Sequence, residues 1–217
     1  ISIDWSDLDD RKAHFLLRAA ISLKGRPITL YQEVHCNKTK EKPATHKAFL
    51  KRLHAILPRH CRPIIVTDAG YKSPWFREVL ALGWDIVGRV RKPHFYSLDS
   101  GNTWQCIRHL YDQATCRPKR FDSSQIVRSN PFTCTLVLFK QKSKGRHASN
   151  PDGTRKASKC SKVHAQGAKD PWLLATSLAS HRSLSKQVVA IYRQRMQIEE
   201  GFRDMKSTKF GLGYEQN

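Results

Sequence analysis

No two cysteines in this chain stand as C-x-x-C, and no apolar run approaches the roughly 18 residues that a membrane-spanning helix needs. The first absence removes the usual signature of a zinc site, so Cys36, Cys61, Cys106, Cys116, Cys134 and Cys160 read as free thiols. Cys160 and His164 make half a zinc site at most, because no second pair completes it. The second absence, with no signal-peptide pattern, points to a soluble intracellular protein rather than a membrane protein. Acidic residues are scarce as well. Against 39 Lys plus Arg there are 18 Asp plus Glu, a formal net charge of +21 spread along 217 residues. Such a surplus implies a polyanionic partner, with nucleic acid ahead of a membrane surface. There is no internal repeat. Terminal punctuation is missing too, since the chain opens in a strand-like run at Ile1 and stops at Asn217 just after a helical one, as expected of an excised core or an incomplete product.

What is present is enough for a folded domain, since 39% of the residues are hydrophobic. Ile1, Ile3 and Trp5 alternate with Ser2 and Asp4, the period of a strand, which places Asp4 on the face opposite the apolar set. The runs HFLLRAAISL and RPITLYQEV, joined through Lys24 and Gly25, predict an antiparallel hairpin. Residues 44 to 57 have helical spacing, closed by Pro58. PIIVTDAG reads as a strand buried on both faces that delivers Asp68 into a tight turn, outside the carboxyl end of a central strand, where ligands bind in such sheets. Ser73 reads as an N-cap with Pro74 as first helical residue, Gly83 as the stop, and WDIVGRV as the next strand. The sum is an α/β fold, a mixed sheet flanked by helices.

From Lys92 the character changes. Short strand-like pieces such as FTCTLVLF at 132–139 alternate with turns, and helical periodicity is absent as far as Asp170. Within this β-rich insertion, residues 140–169 hold nine Lys or Arg and almost no apolar side chains, which predicts a basic loop that follows DNA phosphates or, more simply, a solvated connection. The chain is thus divided into 1–91 and 171–217 as two parts of one core, with 92–170 inserted. PWLLATSL is the last strand before a long helix.

That helix, IYRQRMQIEEGFRDMK, sets Tyr192, Arg195, Glu199 and Lys206 within an arc of about 60° on one continuous helix. Ile191, Ile198, Phe202 and Met205 form an apolar stripe beside them, so one side can be buried while the polar row enters a cleft. An ordinary amphipathic helix with solvated charges has the same pattern. Glu200 points away from the row, which selects Glu199. Two-metal phosphoryl transfer needs carboxylates that converge from separate elements, and Asp4, Asp68 and Glu199 are acids that such a sheet can bring together. Asp7, Asp9 and Asp10 compete with Asp4, and a strand-end Asp such as Asp68 also serves as a turn residue.

The spacing of Tyr192, Arg195, Glu199 and Lys206 resembles the YREK signature of the hairpin-forming DDE transposases of the insertion-sequence IS-four family, close to the Tn-ten transposase. IDWSD around Asp4, VTDAG around Asp68 and RMQIEE around Glu199 look like that family's three acid motifs. Their separations of 64 and 131 residues suit a ribonuclease H-like core carrying a β-rich insertion before the final catalytic helix. The resemblance implies that Asp4, Asp68 and Glu199 bind two Mg²⁺ or Mn²⁺ ions and cleave DNA at transposon ends through a hairpin, followed by strand transfer. It implies phosphate contacts for Tyr192, Arg195 and Lys206, and a platform for a flipped base at Trp172, with Trp104 as second candidate. A dimer on double-stranded DNA, in a bacterial cytoplasm at the nucleoid, follows in the same way. The alternatives are a DNA-binding fragment without turnover and a ribonuclease H-like nuclease without strand transfer.

Overall fold

The computed structural model describes residues 1–9, 11–23, 25–91, 94–141, 154 and 170–207. Most of the basic loop at 140–169, with Cys160 and His164, lies outside the described residues, as does Asp10.

The first three strands, β1 (Ser2–Asp7), β2 (His14–Ser22) and β3 (Pro27–Cys36), form the expected antiparallel meander. Gly25, at φ +104°, takes the turn between β2 and β3, a conformation that costs a residue without Cβ little. Helix α1 (Pro43–Ile56) follows, with proline in its first turn, where no intrahelical N–H is lost. Its buried residues His46, Phe49, Leu50 and Leu53 recur at helical spacing. Then come β4 (Ile64–Thr67), α2 (Ser73–Ala81) and β5 (Asp85–Val90). The residue that caps α2 is Lys72 rather than Ser73, because the helical turn already includes Ser73. Gly83, at φ +73°, ends it as expected.

Strand β4 is parallel to β1 and to β5. The short run Ile64–Thr67 serves both faces. Ile65 joins one hydrophobic cluster and Val66 another, as Ile86 and Val87 do on β5. Beyond β5 come β6 (Phe95–Ser97), β7 (Gln105–Cys106), a one-turn helix α3 (Arg108–Tyr111), β8 (Lys119–Ile126), β9 (Phe132–Phe139) and β10 (Trp172–Thr176). Helix α3 is a departure from the helix-free insertion expected, since one turn is too short to show a period in the sequence. The ten strands make one sheet in the order β3-β2-β1-β4-β5-β10-β9-β8-β6-β7. The chain returns along β10, which lies between β5 and β9 and pairs antiparallel with both.

One face of the sheet is covered by α1 and α2, around Ile3, Leu17, Phe49, Leu53, Phe76 and Ile86. The other carries α4 (Leu184–Gln194) and α5 (Met196–Lys206) on two smaller clusters. This is the α/β arrangement expected: a mixed sheet flanked by helices.

Candidate active site

In the parallel pair β1 and β4, Ser2 stands opposite Val66. Carrying that register two residues on sets Asp4 beside Asp68, at the carboxyl end of β4. Asp68 Oδ1 accepts the Gly70 N–H at 2.8 Å, so the carboxylate holds its own turn in place. A Cβ on Gly70 would lie 3.1 Å from that oxygen, so a small residue keeps the turn tight. Asp4 Oδ1 accepts the Trp5 N–H at 3.0 Å, which leaves Oδ2 free to turn toward the last helices.

Those helices are not continuous. The Arg195 amide donates to the Tyr192 carbonyl at 3.1 Å and the Ile198 amide to the Arg195 carbonyl at 3.0 Å, both three residues apart, so the chain tightens between α4 and α5. The single helix expected across 191–206 is therefore two helices that meet at Arg195. The tightened turn lets each half settle on its own core. Leu184, Val188, Val189 and Tyr192 pack on Val66, Val87 and Val137, whereas Ile198 and Phe202 pack on Leu16 and Ala20.

Arg195 lies between the two cores with 8% of its surface exposed. Its Nη1 donates to Asp4 Oδ2 at 2.8 Å and its Nη2 to Glu199 Oε1. Burial pulls the guanidinium toward the neutral form, but Tyr192 and the carboxylates of Asp4, Glu199 and Asp68 more than offset it, so it stays charged. Burial pushes the Asp4 carboxyl up to about 7 despite Arg195, and the charges of Asp68 and Glu199 add to the rise. Asp4, Asp68, Arg195, Glu199, Arg203 and Lys206 line one cleft of about 450 Å³. Asp4 and Arg195, 191 positions apart in the chain, are thus joined with Glu199 in one hydrogen-bonded cluster.

The remaining sequence candidates are placed differently. Tyr192 is buried at 3% exposure, and its ring meets Trp172 edge to face, centroids 4.9 Å apart. Trp172 is half-buried and also packs on Phe139, so both rings sit with the α4 core rather than in the cleft. Lys206 is exposed on the cleft rim. Glu200 is exposed and outside the cleft. Asp9 accepts the Ala13 and His14 amides at 3.0 and 2.8 Å, a turn role, and Asp7 pairs with Lys12 and Lys40. Trp104 is half-buried in the loop before β7.

Two features escaped the sequence reading. Behind the acids, Trp5 Nε1 donates to His46 Nε2 at 3.0 Å, and His46 stacks on Tyr71 at 5.1 Å. An imidazole that accepts at Nε2 is neutral, and burial holds its pKa down at about 4. The second is Arg18, buried at 6% exposure and the cross-strand partner of Asp4. Its signal was in the sequence, a lone cation inside the apolar run FLLRAAI.

Carboxylate oxygens suit hard divalent cations, and the Arg195 guanidinium is a stand-in cation between two of the three acids, so the donor set fits such ions. The acids are not drawn together into a ready cage. Among the described residues no group of three or more His, Cys, Asp or Glu side chains encloses a metal position. Among the described residues no helix is long and apolar enough to cross a membrane.

Comparison with curated proteins gives no match. Among solved structures, the piggyBac transposase synaptic complex with hairpin DNA aligns at a TM-score of 0.49 and 15% identity, over 93% of this chain. This chain spans only 39% of that transposase's length. The family model described as the transposase DDE domain matches residues 9–214, which takes in Asp68 and Glu199 and starts just past Asp4. Domains of this family generally use divalent metal ions. Because the match extends over nearly all of the sequence, the chain belongs to the transposase DDE domain family.

Proposed function

We propose that this chain is the catalytic core of a cut-and-paste DNA transposase of the IS-four type, with Asp4, Asp68 and Glu199 as its catalytic acids. The observation that carries this reading is the convergence of the three acids with Arg195 and Lys206 on one cleft, from a first strand, a central strand end and a last helix. Asp4, Asp68 and Glu199 would hold two Mg²⁺ or Mn²⁺ ions. When bound, these ions supply activation of the attacking oxygen and charge stabilisation at the leaving one. The segment 92–170 is an insertion between the two parts of the core, 1–91 and 171–217.

The residues of the chain divide the rest of the work. Arg195 keeps Asp4 and Glu199 in register while the cleft is empty of DNA, and offers a planar fork to a phosphodiester when DNA enters. Lys206 and Arg203 on the rim attract the backbone as charges. Tyr192 braces Arg195, whose guanidinium carbon is 5.8 Å from its ring centre. In the hairpin reaction, hydrolysis of one strand leaves a 3′ hydroxyl. That hydroxyl attacks a phosphodiester of the opposite strand and expels the 3′ oxygen of the flanking DNA as the hairpin closes; hydrolysis of the hairpin then frees the 3′ end for joining to target DNA. Trp172 receives the displaced base once its contact with Tyr192 loosens. The assembly that joins two ends is a dimer on double-stranded DNA in the bacterial cytoplasm.

The test is nicking of a duplex that carries the terminal repeats flanking the gene for this chain, with Mg²⁺ or Mn²⁺ added. Asp4→Asn, Asp68→Asn and Glu199→Gln each lower the rate on the order of 10³-fold or more, while retention of the duplex on a filter persists. Loss of retention in step with nicking overturns the catalytic assignment. Retention by the unaltered chain with no nicking marks a binding fragment, and nicking without hairpins marks a plain nuclease.

A further inference from the structure

On β2, Leu16, Arg18 and Ala20 alternate toward α5. Leu16 and Ala20 pack there against Ile198 and Phe202, as an apolar strand face should. Arg18 stands between them at 6% exposure, and a guanidinium in such a place is costly unless its surroundings are built for it. They are. Its Nε donates to Gln32 Oε1 on β3 at 3.0 Å, its Nη2 reaches Met205 Sδ on α5 at 2.8 Å, and its charge lies 4.8 Å from the centre of the Phe202 ring. Gly201 lets α5 lie close on the start of β3, since a Cβ there would come within 2.7 Å of the Pro27 ring while only touching Arg18 Nη1 at 3.8 Å.

The grip has a direction. Phe202 and Met205 lie three and six residues beyond Glu199 on α5, and Asp4 lies directly across the β1–β2 pair from Arg18. One guanidinium therefore ties the rung that carries Asp4 to the helix that carries Glu199. A slip of α5 by one residue would turn Glu199 by about 100°, away from Asp4. We propose that Arg18 is a positioning residue of the active site, which docks α5 on β2 and β3 at the height and rotation that bring Glu199 to Asp4. It rests on the reading of Asp4 and Glu199 as site acids. The planar fork matters, because Nε and Nη2 serve strand β3 and helix α5 at once and a lysine ammonium has no such fixed pair of donors.

The experiment uses the full chain with Arg18→Met and Arg18→Lys. Met keeps an apolar body over Phe202 while removing the fork, and Lys keeps the charge. The readouts are Mn²⁺ binding followed by electron paramagnetic resonance, amide hydrogen exchange of α5, and the thermal unfolding midpoint. Arg18→Met is expected to unfold cooperatively and to bind Mn²⁺ about tenfold more weakly, with faster exchange across 196–206 but not across 184–194. Arg18→Lys recovers part of the Mn²⁺ affinity. In the nicking assay, kcat falls and KM for the duplex holds. A folded Arg18→Met with unchanged Mn²⁺ affinity and unchanged α5 exchange overturns the proposal. If Arg18→Met does not fold, the same outcome in Arg18→Lys overturns it. Should Asp4→Asn and Glu199→Gln bind Mn²⁺ as the unaltered chain does, the metal reading of the site fails, and the α5 exchange alone then decides for or against Arg18.

Discussion

The two faces of the sheet are built on different terms. Under α1 and α2 the packing is one continuous apolar cluster that runs from Ile3 and Leu17 through Phe49 and Phe76 to Leu136 and Leu173. Under α4 and α5 it is divided into two small clusters, with Arg195, Asp4 and Glu199 in the gap. The first face is where stability accumulates, because apolar burial grows with contiguous area. The second face gives up that continuity where α4 meets α5, and the gap is where charges are held close beside the cleft. A site of this kind belongs at a seam in the packing rather than in the middle of a core.

The comparison breaks most sharply at Arg195. Arg195→Ala leaves Asp4 buried without its partner, which costs about 3–5 kcal/mol. Asp4 can relieve part of that by taking up a proton, since burial already raises its pKa to about 7. The loss is therefore larger at pH 8 than at pH 5, and urea unfolding at the two pH values measures it. An equal loss at both would mean that the seam carries no electrostatic load.

The continuous face answers to shape instead. A Cβ on Gly88 would come within 2.5 Å of the buried Phe76 ring, so Gly88→Ala is expected to cost about 1–3 kcal/mol. Nicking below the lowered melting midpoint should be unchanged. Gly201→Ala meets the Pro27 ring at 2.7 Å on the other face, and is expected to lower nicking as well as stability because it lifts α5. Parallel thermal melts and rate assays on both variants separate the two outcomes.

His46 gives the continuous face one titratable weak point. Its folded pKa, about 4, lies below the ordinary 6.5, so the unfolded chain binds the extra proton first. Stability is then complete above pH 6.5 and falls by about 1.4 kcal/mol per pH unit as pH drops toward 4. His46→Gln should flatten that slope in a pH series of denaturant midpoints. The smallest effect belongs to the surface pair of Arg26 and Asp204, which also joins the β2–β3 turn to α5, but with its side chains 66% and 32% exposed. Arg26→Ala should cost under about 1 kcal/mol and vanish in high salt. Set beside Arg18→Met, it separates a solvated contact to α5 from a buried one.

Much of this was legible from residue order. Strand and helix periods are local, so β1 to β5, α1 and β9 were readable from alternation, spacing and the Gly and Pro positions. The acids were legible as a spaced set, Glu199 was separable from Glu200 by helical angle, and Asp68 by its place after an apolar strand. The break at Arg195 was not legible, because its residues are all helix-compatible and the interruption comes from two cores pulling on the two halves. The burial of Trp172 against Phe139 and Tyr192 was likewise unreadable, since a tryptophan at a strand start fits a core and a cleft equally well.

Sequence alone determined the periodic elements, the basic surplus and the order and spacing of the acidic residues, because each depends on neighbours along the chain or on simple counts. Tertiary structure decided that Arg195 lies between Asp4 and Glu199, that Arg18 reaches from β2 to α5, and that the cleft opens at the junction of two cores. Those contacts join residues as many as 191 positions apart, and only the packed sheet brings them within hydrogen-bond distance.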